Sequence, residues 1–364
     1  MRTYIQRDYW PTIEWRTAEP ADLGMDTKKL SELEQMIISE YGNNINGITI
    51  VRKGYIAFEK YYNGYGPDDT HHVASVTKSI ISALVGIAID KGYIKSVNEK
   101  VLAFFPEYVS SASDVQKRAV TIRHLLTMTA PFPFTWKPGG STLEPLDRLR
   151  RQKDWVKYTL DILGQKGKFG EFQYCTAGAH LLSAIITRST GKCAREFANE
   201  HLFSAIGMKV LPEPDMKSFG LEDVFGGVFG KSLNGWIQDP NGNTNGGWGL
   251  TLTPRDMARF GFLYLNNGRW DNNQIIPEAW IGDSITSESW IAGSKMIECF
   301  KYGYLWYMYE ENGTFTYMAR GDGGNAICCI PDKDLVVAIA AKQVSKPGDI
   351  LPLLEKCILP SILG

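Results

Sequence analysis

The sequence predicts an α+β protein. An antiparallel sheet forms from the two ends of the chain and is flanked by helices, with a mainly helical domain inserted between those ends. Two observations carry this prediction. Strand-rich segments with hairpin turns occur near the N-terminus and return only near the C-terminus. Between them the chain shows helical apolar spacing joined by Gly- and Asn-rich loops. The length of 364 residues allows one large or two medium domains. The expected division is 1–65 with 295–364 for the sheet and 66–294 for the helical part, with the functional site between them.

The elements follow in order. Asn46 to Gly64 reads as two strand runs around Lys53-Gly54, a hairpin. Ser75 to Lys91 has helical spacing and stops at Gly92. Thr121 to Met128 and Ala177 to Gly191 are helical, and Gly191 ends the second. Thr253 to Gly268 starts with Thr at the N-cap and Pro next, the favoured order. Tyr302 to Gly321 is a second hairpin around Asn312-Gly313, and Asn325 to Lys342 a third, turning at Asp332 to Asp334. A helix from Gly348 to Leu363 closes the chain. Gly- and Asn-rich loops join these helices, above all GWIQDPNGNTNGGWG, Gly235 to Gly249.

Composition excludes several classes. The formal charge is −1, with 44% apolar and 22% charged residues, as in ordinary soluble domains. Near-neutrality argues against a nucleic-acid or anionic-membrane surface. The N-terminal stretch MRTYIQRDYWPTIEW has no apolar core of signal-peptide length, and no run reaches membrane-spanning length. A cytoplasmic protein is expected. Six cysteines include the adjacent pair Cys328-Cys329, whose side chains point to opposite faces of a strand, and no C-x-x-C is present. Reduced, structural thiols are expected. There is no G-x-S-x-G, no Walker A, no G-x-G-x-x-G and no H-E-x-x-H. No metal and no cofactor is expected, and the five histidines read as structural.

One pattern does carry chemistry. Ser75 and Lys78 open an apolar helix three residues apart, so their side chains share a face. A serine hydroxyl is a weak nucleophile until a base takes its proton. Burial and the positive end of a helix both push a lysine toward its neutral, basic form. The same turn offers the serine's own N–H to an oxyanion. S-x-x-K alone is weak, since about one match is expected by chance in a chain this long. The second match, Ser189 to Lys192, spans the helix-ending Gly191 and reads as a turn. The plain alternative for the first makes Ser75 an N-cap and Lys78 a surface residue.

Two further segments favour the chemical reading. Tyr174-Cys175-Thr176 precedes a helix and has the form Y-x-[NST]; a phenol beside a lysine can relay protons. ARGDGGNAI, Ala319 to Ile327, puts glycine-rich backbone at a strand end, where N–H groups can hold an oxyanion.

In this order, VASVTKS, TIRHLLTMT, YCTAGAHLLS, GWGLTLTPRDMARFG and GDGGNAICCIPDKDLVV resemble the serine β-lactamase and penicillin-binding-protein family. The likeness is to its class C branch with esterase and 6-aminohexanoate-dimer hydrolase relatives, and it covers nearly the whole chain. It implies the β-lactamase/transpeptidase-like fold, with Ser75 as acylated nucleophile and Lys78 and Tyr174 as the acid/base pair. It also implies an oxyanion hole from the N–H groups of Ser75 and Asp322, and substrate contacts from Thr176, Gly321 and Gly323. Trp136 and Trp248, in loops of the kind that edge sites, are further candidate contacts.

The third motif, at Ala319-Arg320-Gly321, departs from the family's Lys-Thr-Gly or His-x-Gly. It lacks the cation that helps hold a substrate carboxylate, and Asp322 follows it. Both departures point to neutral or cationic esters and amides. The expected function is therefore a serine hydrolase acting through an acyl-enzyme on a small-molecule ester or amide. A β-lactamase or D-amino-acid peptidase is the second reading. A non-catalytic ligand-binding or sensor protein on the same fold is the third.

Overall fold

A computed structural model of the chain describes residues 6–108, 115–133, 146–213, 235–286, 289–290, 300–342 and 349–363. Strands β1 (Ile45–Arg52) and β2 (Tyr55–Tyr61) meet at Lys53-Gly54. Both turn residues have positive φ, 52° and 88°, the backbone a tight two-residue hairpin needs. A second sheet, β3 (His71–His72) with β4 (Thr251–Leu252), and a third, β5 (Arg269–Trp270) with β6 (Asn273–Gln274), are small. The C-terminal strands are β7 (Ser289–Trp290), β8 (Lys301–Tyr302), β9 (Tyr307–Glu311), β10 (Thr314–Gly321), β11 (Asn325–Ile330) and β12 (Leu335–Ala341). Asn312-Gly313 turns β9 into β10 with φ 51° and 73°.

The main sheet runs β2-β1-β12-β11-β10-β9-β8-β7, all pairs antiparallel. The two chain ends meet where β1 pairs with β12, Ile48 opposite Ile339 and Ile50 opposite Val337. Every residue of β1 and β12 is buried. This explains their near-continuous apolar character, since a strand covered on both faces has no polar side. The helix Pro254–Leu265, capped by the Thr253 side chain, packs on β11 and β12. Gly261 permits this, because a Cβ there would lie 2.6 Å from Val336.

The sheet departs from the expected division of the chain at two points. β7 lies before residue 295 and belongs to the main sheet, and the helix Pro254–Leu265 packs on that sheet. The C-terminal helix runs without a gap through Leu351–Leu353, Leu354–Ile358 and Leu359–Ser361, with right-handed helical backbone at Leu354 and Leu359 and a hydrogen-bond spacing that changes along it. Pro360 has no N–H to donate back along a helix. A helix at Thr27–Tyr41 was not expected. Asp26 caps it by accepting from the Lys28 N–H at 2.8 Å, and Leu30, Leu33, Ile37 and Tyr41 form its buried face.

The helix Val76–Asp90 is buried continuously from Val76 to Ala88, so it is apolar on every side. It packs against β10 and against the helix Thr176–Thr190. The latter ends at Gly191 with φ 74°, the left-handed cap that glycine adopts without strain.

The β3–β4 pair folds the Gly235–Gly249 loop back beside the start of the Val76 helix. Gly249 N–H donates to His72 Nε2 at 3.0 Å, and the Trp248 ring lies edge-on to His72 at 6.3 Å. An acceptor Nε2 requires a neutral ring. Burial, with a contribution from the Arg150 charge, pulls His72 down from 6.5 to about 3. The unfolded chain takes up this proton near 6.5 and the folded chain does not until about 3. His72 therefore stabilises the fold above 6.5, and that contribution is lost as pH falls toward 3, by up to about 1.4 kcal/mol per pH unit. Urea unfolding at pH 7.5, 6 and 5 tests this. His72→Gln, which cannot titrate, should show a shallower acid loss than wild type; parallel losses would exclude His72 as the source.

Candidate active site

Ser75 sits at the first position before the Val76 helix, half-buried, and its hydroxyl makes no capping bond. The hydroxyl is instead the partner of Lys78, whose Nζ lies 2.9 Å from Ser75 Oγ. Lys78 is 1% exposed, which rules out the surface reading of this residue. Its Nζ also donates to the Gly247 carbonyl at 2.7 Å and lies 4.9 Å from the Tyr174 ring centroid. Four chain segments thus meet: residues 73–78, Tyr174, the Gly247 loop and the end of β10.

The approach to Ser75 is strained. Ala74 has φ 48°, a conformation that costs a non-glycine residue about 1–3 kcal/mol. Three bonds offset this. Val73 N–H donates to Leu250 O at 3.0 Å, and the Thr77 hydroxyl and N–H both reach Ala74 O, at 2.6 and 3.2 Å. Among the described residues, no acceptor takes the Ser75 N–H.

Gly247 was not singled out by sequence reasoning. Its carbonyl reaches Lys78 because the loop lies directly on the first turn of the Thr176 helix. A Cβ on Gly246 would be 2.2 Å from Ala179 O, and one on Gly247 would be 2.3 Å from Thr176 Cγ2. The Gly-Gly pair in NTNGGWG was the available signal. The loop is held by buried bonds. His180 Nε2 pairs with Asp239 Oδ2 at 3.0 Å, Ser183 Oγ donates to Thr244 O at 2.6 Å, and Gly247 N–H donates to Asn245 Oδ1 at 2.9 Å. Burial works against the Asp239 charge, yet bonds from His180 and Asn243 hold its carboxyl below the usual range.

The remaining expected residues fall as follows. Gly321 ends β10 against residues 73–74, where a Cβ would be 2.3 Å from Val73 O. Asp322 follows it, exposed, its Oδ1 accepting from the Gly323 N–H at 3.1 Å. Gly323 is a turn residue at φ 81° whose carbonyl accepts from Asn44 Nδ2 at 2.7 Å. Thr176 is buried, its methyl against Gly247. Trp248 is buried between Trp155, His72 and the Arg150 guanidinium, 4.8 Å above its ring. Trp136 lies outside the described residues. Arg320 pairs with Asp349 at 3.3 Å. It alternates along β10 with Gly321, which faces residues 73–74, so it projects from the opposite sheet face.

A cluster of phenols backs Tyr174. Burial raises Tyr302 and Tyr307 well above the ordinary tyrosine value, and Tyr174 is a neighbour of both. The described cysteines 175, 193, 328, 329 and 357 are buried free thiols. Among the described residues there is no group of three or more His, Cys, Asp or Glu placed to hold a metal, and no helix long and apolar enough to cross a membrane.

Comparison with known proteins agrees with this frame. The β-lactamase family model matches residues 38–354. A 6-aminohexanoate-dimer hydrolase of Paenarthrobacter ureafaciens is 26% identical over 263 residues, 70% of this chain. The chain spans 59% of that relative's length. Among solved structures, EstCE1, a hydrolase with promiscuous acyltransferase activity, is similar with a TM-score of 0.68 at 17% identity, over 95% of this chain and 99% of that one. A class C β-lactamase of Rhodobacter sphaeroides is similar with a TM-score of 0.63 at 13% identity, over 92% and 99%. At these identities the structural likenesses speak for the β-lactamase/transpeptidase-like fold alone. With the family model covering most of its length, the chain belongs to the β-lactamase family.

Proposed function

We propose that the chain is a serine hydrolase that works through an acyl-enzyme on small esters or amides. The observation that carries this is the Lys78 amine, buried, 2.9 Å from Ser75 Oγ and 2.7 Å from the Gly247 carbonyl. A neutral amine has two N–H donors and one lone pair. With one donor directed at Gly247 O, the amine can turn its lone pair to Ser75 Oγ and take the proton. The carbonyl thus orients the base, the part a third group plays in other nucleophile–base pairs.

Ser75 Oγ then bonds to the substrate carbonyl carbon as its proton passes to Lys78. The oxyanion is held by the N–H groups of Ser75 and Asp322, which the close approach of Gly321 to Val73 would bring side by side. The C–O or C–N bond breaks, and the leaving alcohol or amine takes the proton through Tyr174 and Lys78. Water attacks the acyl-enzyme to release the acid and restore Ser75. The substrate is neutral or cationic in this reading, because Arg320 is paired with Asp349 on the opposite sheet face. The β10 cation, Arg320, is already engaged by Asp349.

Intact-protein mass spectrometry with a fluorophosphonate and with a penicillin tests the proposal. The fluorophosphonate should add once to wild type and not to Ser75→Ala, and the penicillin should add poorly. An adduct that persists in Ser75→Ala would sink the assignment of the nucleophile. Lys78→Ala should slow labelling by roughly 10²–10⁴-fold, the range for loss of a positioned base.

Gly247→Ala should slow labelling about tenfold or more, because its Cβ must displace Thr176 or move the carbonyl off Lys78. Labelling at the wild-type rate in a folded Gly247→Ala protein would show that the carbonyl does not orient the base.

A further inference from the structure

The sequence analysis left Arg320 without a role and did not single out Tyr307. Tyr307 opens β9, and its hydroxyl is hydrogen-bonded to Tyr174. The ring is fixed from several sides. Tyr302 meets it edge-on with centroids 4.8 Å apart, and Phe300 does so at 5.8 Å. The Arg320 guanidinium lies 5.9 Å from its centroid. The turn that leads into the strand is tied to the helix that carries Lys78, because Ser79 Oγ donates to Leu305 O at 2.7 Å, two residues before Tyr307. One helical turn therefore positions both the amine that meets Tyr174 and the segment that leads to Tyr307.

We infer that Tyr307 is a positioning residue for the proposed reaction, donating its phenolic proton as a hydrogen bond to the Tyr174 oxygen. This rests on the hydrolase reading above. Burial keeps Tyr307 protonated across the working range, so it acts as a permanent donor. A donor at the Tyr174 oxygen stabilises negative charge there, so Tyr174 gives up its proton more readily and its phenolate is populated at lower pH. The charged and titratable groups around Tyr174 are Lys78 from the Val76 helix, Tyr302 from β8 and Tyr307 from β9, with Arg320 of β10 behind Tyr307. Arg320, paired with Asp349, then serves the phenol pair instead of a substrate carboxylate.

Tyr307→Phe deletes one hydroxyl and keeps the ring, so the packing around Phe300 and Tyr302 persists. The measurement is kcat and KM for p-nitrophenyl butyrate across pH, with Ser75→Ala and Tyr302→Phe alongside. The expected result is a fall in kcat of about tenfold or more with KM within about twofold, as for a lost hydrogen bond to a charged group. The limb of the pH profile that reports Tyr174 should move to higher pH, because its charged form has lost a donor. Tyr302→Phe should stay within about twofold of wild type. An unchanged kcat and pH profile in Tyr307→Phe would overturn the inference, and so would an equal loss in Tyr302→Phe, which would mark a general packing effect. Full activity in Ser75→Ala would instead overturn the hydrolase reading itself, and the inference with it.

Discussion

The buried Lys78 amine is the constraint on which the arrangement depends. At 1% exposure it has no solvent to satisfy its donors, so the protein must supply partners. They come from different parts of the chain: Ser75 from its own helix, the Gly247 carbonyl from a distant loop, and the Tyr174 ring from the start of another helix. Each partner can be where it is only if its own segment packs in one way. The site is thus a consequence of burying one amine in an otherwise apolar helix. A variant that lost any partner would leave a polar group stranded in the core, which costs about 1–3 kcal/mol.

Close backbone approach makes this convergence possible. Gly246 and Gly247 lie on the Thr176 helix, and Gly321 lies on Val73, at separations that no side chain could share. The limit there is space, since none of the three has positive φ. Ala74 is the converse case, a residue with a side chain held at φ 48° by bonds on either side of it. The strain sits one residue before Ser75, whose hydroxyl makes no capping bond and lies 2.9 Å from the Lys78 amine.

Much of this was legible from residues alone. The three hairpins announced themselves through Lys53-Gly54, Asn312-Gly313 and the Asp334 turn, each with positive φ in the structure. S-x-x-K, Y-x-[NST] and the Gly-rich strand end named Ser75, Lys78, Tyr174 and Gly321 because their chemistry is local in sequence. What escaped was non-local. Gly247 serves through a carbonyl, and every residue has one, so only the fold could pick it out. Tyr307 looked like any aromatic of a strand until β9 was placed beside Tyr174. The helix Thr27–Tyr41 was legible in principle, since Asp26 and the spacing of Leu30, Leu33 and Ile37 are ordinary helix signals.

The altered third motif shows how position can outweigh residue type. An arginine where the family carries a lysine or histidine one step along the strand invites a reading of equivalent charge. Side chains alternate along a strand, however, and Gly321 is the residue that faces Val73 and Ala74. Arg320 must then project from the other face, where Asp349 meets it and the rings of Phe300 and Tyr307 lie beneath it. Its charge is met there by the Asp349 carboxylate. Asp322, the next residue after Gly321, is exposed, and its carboxylate accepts from the Gly323 N–H. On the proposed reading, the pairing of Arg320 with Asp349 offsets the one positive charge this strand end could turn on a substrate, and neutral acyl groups meet the least electrostatic cost there.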